Sequence, residues 1–193
     1  MNHDIQVERH GVRLRPVRIE DARFIYQLRW EPSLSQYIGD TDQNPEAQVL
    51  WLERYMQREG DYYFIIETSE GKRVGTIAIY EADGDRAEWG RWVIMPGQPV
   101  APGSSWLIYY VAFECLGLKE VYCRTVEDNV KVVSFHDHCG LRRIGVEKNG
   151  VTIKGESKNL IVHAAGTDDW PAIQSRLALS VKMAQRLIEG ANP

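Results

Sequence analysis

Short apolar-rich segments bounded by Gly, Pro, Asn and Asp alternate along this chain with segments whose apolar positions recur at helical spacing. Val12 to Val17, Tyr62 to Glu67, Val74 to Glu81, Ala87 to Met95, Glu120 to Val126, Arg142 to Glu147 and Lys158 to Val162 read as strands. Glu70-Gly71, Asp83-Gly84 and Asn149-Gly150 mark turns between neighbouring strands. A helix from about Glu20 to Arg29 carries Phe24, Ile25 and Leu28 inward, and Pro32 then breaks the chain. The polar loop from Ser33 to Asn44 holds Tyr37 and Ile38, and a helix follows from Pro45, a residue suited to the first helical position, to about Arg58. Two further helices run from Trp106 to Leu116, capped by Gly117, and from Val130 to about Cys139. After Asp169-Trp170-Pro171 a last helix reaches about Glu189, with Ile173, Leu177, Val181, Ala184 and Ile188 along one stripe. The order predicts an α+β domain: a mixed, mostly antiparallel sheet of about seven strands flanked by helices, with an additional C-terminal helix. The terminal stripe is expected to pack on its own domain rather than on another subunit.

The segment Gln98 to Ser105 lies between a strand and an apolar helix. Such a junction leaves main-chain N–H groups unpaired at the positive end of a helix dipole, which makes an anion site suited to a pyrophosphate. Ala101, Gly103, Ser104 and Ser105 have little bulk and would let a phosphate approach the backbone. The same residues also describe an ordinary turn and cap. A second strand ending at Glu127-Asp128-Asn129, with a helix directly after it, extends the pattern.

This order of strand, small-residue loop, helix, strand, Asn and helix resembles the GNAT superfamily of acyl-CoA-dependent N-acyltransferases. Gln98-x-x-Ala101-x-Gly103 is similar to the family's phosphate loop, with Ala in place of one Gly. Asn129-x-x-Val132-Val133-x-Phe135-His136-Asp137-His138-x-Gly140-Leu141 is similar to its later signature, and Leu14-Arg15-Pro16-Val17-x-x-Glu20-Asp21 to its opening. The resemblance covers residues 11–165, taken as the catalytic domain, with 166–193 as a C-terminal helical extension. It implies acetyl-CoA as co-substrate, direct transfer to an amine, and no metal. Trp92, Val93 and Ile94 would then border the pantetheine arm, Gln98, Ala101, Gly103, Ser104 and Ser105 the pyrophosphate, with Asn129 and Phe135 completing the cofactor site. Asn129 also reads as a plain helix cap. Pro99 and Pro102 are a departure from the family, since neither can donate a hydrogen bond.

His136 stands where the family usually has a Tyr acting as general acid. With a reference pKa near 6.5, an imidazolium there would protonate a departing thiolate; the alternative is a His that only packs. Glu88, expected on one strand face with Gly90, Trp92 and Ile94, is the candidate base, directly or through a water, or else a solvated strand residue. Trp30, Tyr37, Trp89 and Tyr109 offer stacking surfaces for an acceptor. Resemblance to acetyltransferases of nucleotide-linked amino sugars favours a small-molecule acceptor. A ribosomal-protein N-terminal acetyltransferase and a catalytically inactive acyl-CoA-binding domain are the alternatives.

Composition changes this picture little. The 193 residues, 44% apolar and 26% charged, suit one globular domain, and a net charge of −4 with scattered Lys and Arg gives no nucleic-acid footprint. No apolar run is long enough to span a bilayer and no targeting segment is evident, which points to a cytoplasmic protein without membrane partners, a monomer or weak homodimer. Cys115, Cys123 and Cys139 read as buried reduced thiols.

Overall fold

Strand Tyr62–Thr68 shows why the sheet needs cover on both sides: Phe64 and Ile66 point into one apolar cluster and Tyr63 and Ile65 into another, all of them buried. The computed structural model describes residues 3–40 and 44–190; positions 41–43 of the loop expected after Ser33 lie outside the described residues. Eight strands form one sheet: β1 (Val7–Arg9), β2 (Val12–Pro16), β3 (Tyr62–Thr68), β4 (Arg73–Asp83), β5 (Arg86–Ile94), β6 (Glu120–Val126), β7 (Arg142–Ile153) and β8 (Glu156–Gly166). Their order is β1-β2-β3-β4-β5-β6-β8-β7, and β5–β6 is the parallel pair in an otherwise antiparallel sheet.

The strand beyond the expected seven is β1. It pairs with β2 through His10-Gly11, both at positive φ, 59° and 73°, as a two-residue hairpin turn requires. A three-residue strand is too short to show a period in sequence. Asn149-Gly150 is a second difference. Asn149, at φ 53°, sits inside β7 where the register with β8 slips between Glu147 and Val151, and the hairpin turns instead at Lys154-Gly155.

Helix α1 (Ala22–Arg29), the short α2 (Pro32–Ser35) and α3 (Pro45–Tyr55) precede the sheet's centre in the chain, and α1 and α3 cover one face. There Ile25, Leu52 and Tyr55 pack on Val17, Tyr63, Ile65 and Ala78. Helices α4 (Ala101–Tyr110), α5 (Val130–Cys139) and α6 (Trp170–Gly190) cover the other. The terminal stripe packs as expected within the chain: Ile173, Leu177, Val181 and Ala184 are buried, and Trp170 Nε1 donates to Glu114 at 3.0 Å. Of the cysteines, Cys123 and Cys139 are buried but Cys115 is exposed, because it closes the π-helical turn that ends the α4 segment. No helix among the described residues is long and apolar enough to cross a membrane.

Candidate active site

Strands β5 and β6 pair over three positions only, Arg86 with Glu120, Ala87 with Val121 and Glu88 with Tyr122. Beyond Glu88 they part, and β5 carries a bulge there. Arg91 has φ 47°, and Arg91 and Trp92 stand where the register with β4 slips between Thr76 and Ala78. Thr76 Oγ1 donates to the Arg91 carbonyl at 2.8 Å and holds the bulge in place. Gly90 is required beside it, since a Cβ there would lie 2.6 Å from the Tyr80 hydroxyl. The extra residue resets the alternation. Trp92 therefore joins Trp89 in the cluster under α4, while Arg91 turns to the rings of Tyr63 and Tyr80 on the opposite face. The single face expected for Glu88, Gly90, Trp92 and Ile94 is broken by this insertion.

Three cavities lie at and beside the gap. A groove of about 810 Å³ is lined by Tyr37, Trp92, Val93, Ile94, Ala101 and Asn129, among others. A junction of about 350 Å³ shares Tyr37, Trp92, Val93 and Asn129 with that groove and adds Glu88, Trp89, Arg124 and His136. A third cavity, about 570 Å³, shares Arg29 and Arg91 with the junction and is walled by Trp30 and Trp51.

In the groove, the helix starts earlier than the sequence pattern suggests. Ala101 to Ser105 form the first turn of α4, with Pro102 in a position that needs no N–H donor. The Ser104 N–H is already bonded to the Val100 carbonyl at 2.9 Å. The side chains of Ser104 and Ser105 are fully buried, their hydroxyls donating to Ala101 and Pro102 carbonyls at 3.2 and 3.1 Å. Gly103 faces the sheet, where a Cβ would come within 2.8 Å of Val12 Cγ2. These three residues therefore serve helix–sheet packing, and Ser104 also accepts from Trp92 Nε1 at 3.1 Å, fixing that indole at the groove wall. Gln98 lies in the turn after β5, its N–H on the Met95 carbonyl at 3.2 Å, and the Phe135 ring is 5.2 Å from that of Trp92. The cap reading of Asn129 is not observed: it occupies the cap position, but its side chain makes no capping bond and borders both groove and junction.

At the junction, Glu88 is 3% exposed and held at both oxygens. The Tyr80 hydroxyl donates to Oε1 at 2.9 Å, and Arg124 reaches Oε2 from Nε at 2.9 Å and Nη2 at 2.6 Å. The carboxylate raises the Tyr80 phenol's pKa further than burial alone, while it stabilises the Arg124 cation. His136 is 2% exposed, edge-on to Trp89 at 5.2 Å. Burial, reinforced by the neighbouring His163, pushes its pKa down to about 3, so the imidazolium anticipated from the reference value is not populated at neutral pH.

Trp30 lines the third cavity, and Tyr37 lies between groove and junction. Tyr109 does not take part. It is 1% exposed inside the core, stacked near Phe113 and Trp170, because α4 turns that side onto the sheet. Trp89 borders the junction by an edge while most of the indole fills the same core. Sequence reasoning missed Arg29, Trp51, Arg91 and Arg124. Only the bulge brings Arg91 inward, and residues this far apart in sequence carry no spacing signal. No group of three or more His, Cys, Asp or Glu among the described residues is placed to hold a metal ion.

A family model described as the acetyltransferase (GNAT) domain matches residues 12–142. The spermidine N(1)-acetyltransferase of Escherichia coli K12 is 24% identical over 158 residues, 79% of this chain and 84% of that protein. Among solved structures, apo FdhC, a nucleotide-linked sugar GNAT, is similar with TM-score 0.77 at 25% identity, over 93% of this chain and 99% of that one. A mutant of the spermidine N-acetyltransferase SpeG from Vibrio cholerae shares the fold with TM-score 0.74 at 17% identity, over 84% of this chain and 97% of the other. The chain belongs to the GNAT acetyltransferase family and is an acyltransferase.

Proposed function

From that membership we propose that the protein moves an acetyl group from acetyl-CoA directly to a primary amine in a ternary complex, the acceptor being a small molecule such as a nucleotide-linked amino sugar. The observation that carries the transfer is the parting of β5 from β6 beyond Glu88 at the junction, which shares lining residues with the groove on one side and with the third cavity on the other. The groove takes the donor. Trp92, Val93 and Ile94 border its pantetheine arm, the Asn129 side chain bonds an amide of that arm, and the N–H groups at the start of α4 around Ala101 face the pyrophosphate.

At the junction the amine attacks the thioester carbonyl carbon, the new C–N bond forms, and the C–S bond breaks. The attacking nitrogen loses one proton and the departing sulfur gains one, so the reaction needs no external oxidant or reductant. Glu88 takes the amine proton through a water, with Tyr80 and Arg124 fixing its orientation. His136, held neutral by its burial, acts as a hydrogen-bond donor toward the sulfur rather than as an imidazolium. The third cavity has the size of a small-molecule site, and its indoles suit a sugar or base.

The test is release of free thiol from acetyl-CoA across a panel of sugar-nucleotide amines, free amino sugars, spermidine and N-terminal peptides. Turnover is expected with a sugar-nucleotide amine. A panel in which no amine accelerates thiol release over hydrolysis would overturn the transfer, and turnover confined to peptides would overturn the acceptor.

A further inference from the structure

Among the described residues, the third cavity holds more positive charge than its lining neutralises. Arg29, Arg54, Arg58 and Arg91 line it, and Asp40 is the one carboxylate described there. Asp40 Oδ1 is engaged by the Lys154 main-chain N–H at 2.7 Å. Arg91 is paired, its Nη1 lying 2.8 Å from Asp61, whose other oxygen is 3.9 Å from Arg58. Arg29 is different: it is half-buried and makes no hydrogen bond or ion pair with any described residue. Its position in the last turn of α1 gives it the negative end of a helix dipole, which favours the charge without supplying acceptors for five N–H donors. Burial disfavours its cation, and the nearby Arg91 adds to this while Tyr63 opposes it. A half-buried guanidinium without a partner is a cost to the folded protein unless a ligand brings the missing oxygens.

Arg29 also borders the junction, so an anion bound to it would sit beside the reacting amine. The planar fork of a guanidinium matches phosphate oxygens two at a time, and Trp30 and Trp51 stand in the same wall to receive a ring.

We propose that Arg29 is the specificity residue of the acceptor cavity, binding a phosphate carried by the amine substrate, with Arg54 at the outer rim. The assignment rests on the amine-acetyltransferase reading above and deepens it: the enzyme selects phosphorylated amines and rejects polyamines. Spermidine would bring ammonium groups against the Arg29 and Arg91 guanidiniums, a like-charge contact in a partly desolvated cavity.

The test separates binding from turnover. With saturating CoA filling the groove, UDP is titrated into wild type, Arg29→Gln and Arg29→Lys, and tryptophan fluorescence is read. Wild type should bind UDP, Arg29→Gln should bind at least about tenfold more weakly, and Arg29→Lys should lie between. Melting curves of the variants confirm that each is folded, and Arg29→Glu should shift turnover from a UDP-linked amino sugar toward spermidine. Failure of CoA-loaded wild type to bind UDP, or equal UDP affinity in a folded Arg29→Gln, overturns the assignment. So does wild-type preference for spermidine. UDP binding that depends on Arg29, without thiol release from any amine, supports the phosphate subsite and overturns the transfer reading instead.

Discussion

The two ends of the cleft are built by different means. The groove is made mostly by segments close together in the chain, the end of β5, the turn after it and the starts of α4 and α5. It is closed on one side by Tyr37 and its neighbours after α2, and it offers a helix start, small residues and apolar walls. The third cavity draws charged and aromatic side chains from α1, α3 and the bulge of β5, which are far apart in the chain. Backbone groups come with the fold, whatever residues form it. Guanidiniums and indoles come only with a particular sequence. On the proposed function, the difference teaches that the type of reaction is carried by topology and the choice of acceptor by a few side chains.

The largest effect that would sharpen this contrast is expected at the junction. Glu88→Gln should lower kcat by a factor of roughly 10² to 10⁴ while leaving the KM for acetyl-CoA unchanged, read by steady-state thiol release. Wild-type turnover in that variant would remove Glu88 from the chemistry.

Ala101→Asp comes next, because it puts a carboxylate at the groove mouth near the start of α4. It should weaken acetyl-CoA binding by a factor on the order of 10² and abolish the rise in melting temperature that the donor causes, since a ligand stabilises only the state it binds. A full thermal shift in this variant would show that the pyrophosphate lies elsewhere. Gly103→Asp is a poorer probe, as its side chain would strike Val12.

A smaller effect should appear in stability against pH. The pKa of His136 is about 3 in the folded protein and near 6.5 when unfolded, so between those values the unfolded chain binds more protons. Stability is therefore complete above about pH 6.5 and falls as pH drops toward 3, by at most about 1.4 kcal/mol per unit from this group. Urea midpoints of wild type and His136→Phe at pH 7 and 5 measure it; equal slopes in the two proteins would contradict the burial of a neutral imidazole.

The smallest change is Asn129→Ala. Losing one hydrogen bond of about 1 kcal/mol should raise the KM for acetyl-CoA several-fold and leave kcat and the acceptor KM alone. A shift in acceptor KM would blur the division between the two ends.

The sequence made the groove end legible and the acceptor end nearly opaque. Strand, small residues, helix, strand and Asn129 follow one another locally, so period and spacing reveal their order. What went astray there is the start of α4. Pro102 could have signalled an earlier beginning, and with it the burial of Gly103, Ser104 and Ser105. Nothing local announces that residue 29 meets residue 91, because the meeting depends on how α1 crosses the sheet and on one inserted residue in β5. The hairpin at His10-Gly11 was missed for a simpler reason: three residues of β1 display no alternation. Asn149-Gly150 carried a genuine positive-φ signal that the fold uses in a bulge instead of a turn.

The sheet separates two apolar clusters, one beneath α4, α5 and α6 and one beneath α1 and α3. That partition makes the scaffold evolvable. Ile25, Leu52 and Tyr55 anchor α1 and α3, while Arg29, Arg54 and Trp51 on the same helices look into the cavity. Substitutions at Arg29 and Arg54 can accumulate without disturbing either anchor or donor groove, whereas Trp51, stacked on Tyr55 at 5.6 Å, is tied to the packing. Acceptor preference is then free to drift, even to reverse its charge, within a lineage whose architecture stays the same. Overall likeness to a polyamine acetyltransferase is for that reason a weaker guide to this protein's substrate than the charge of a single cavity wall.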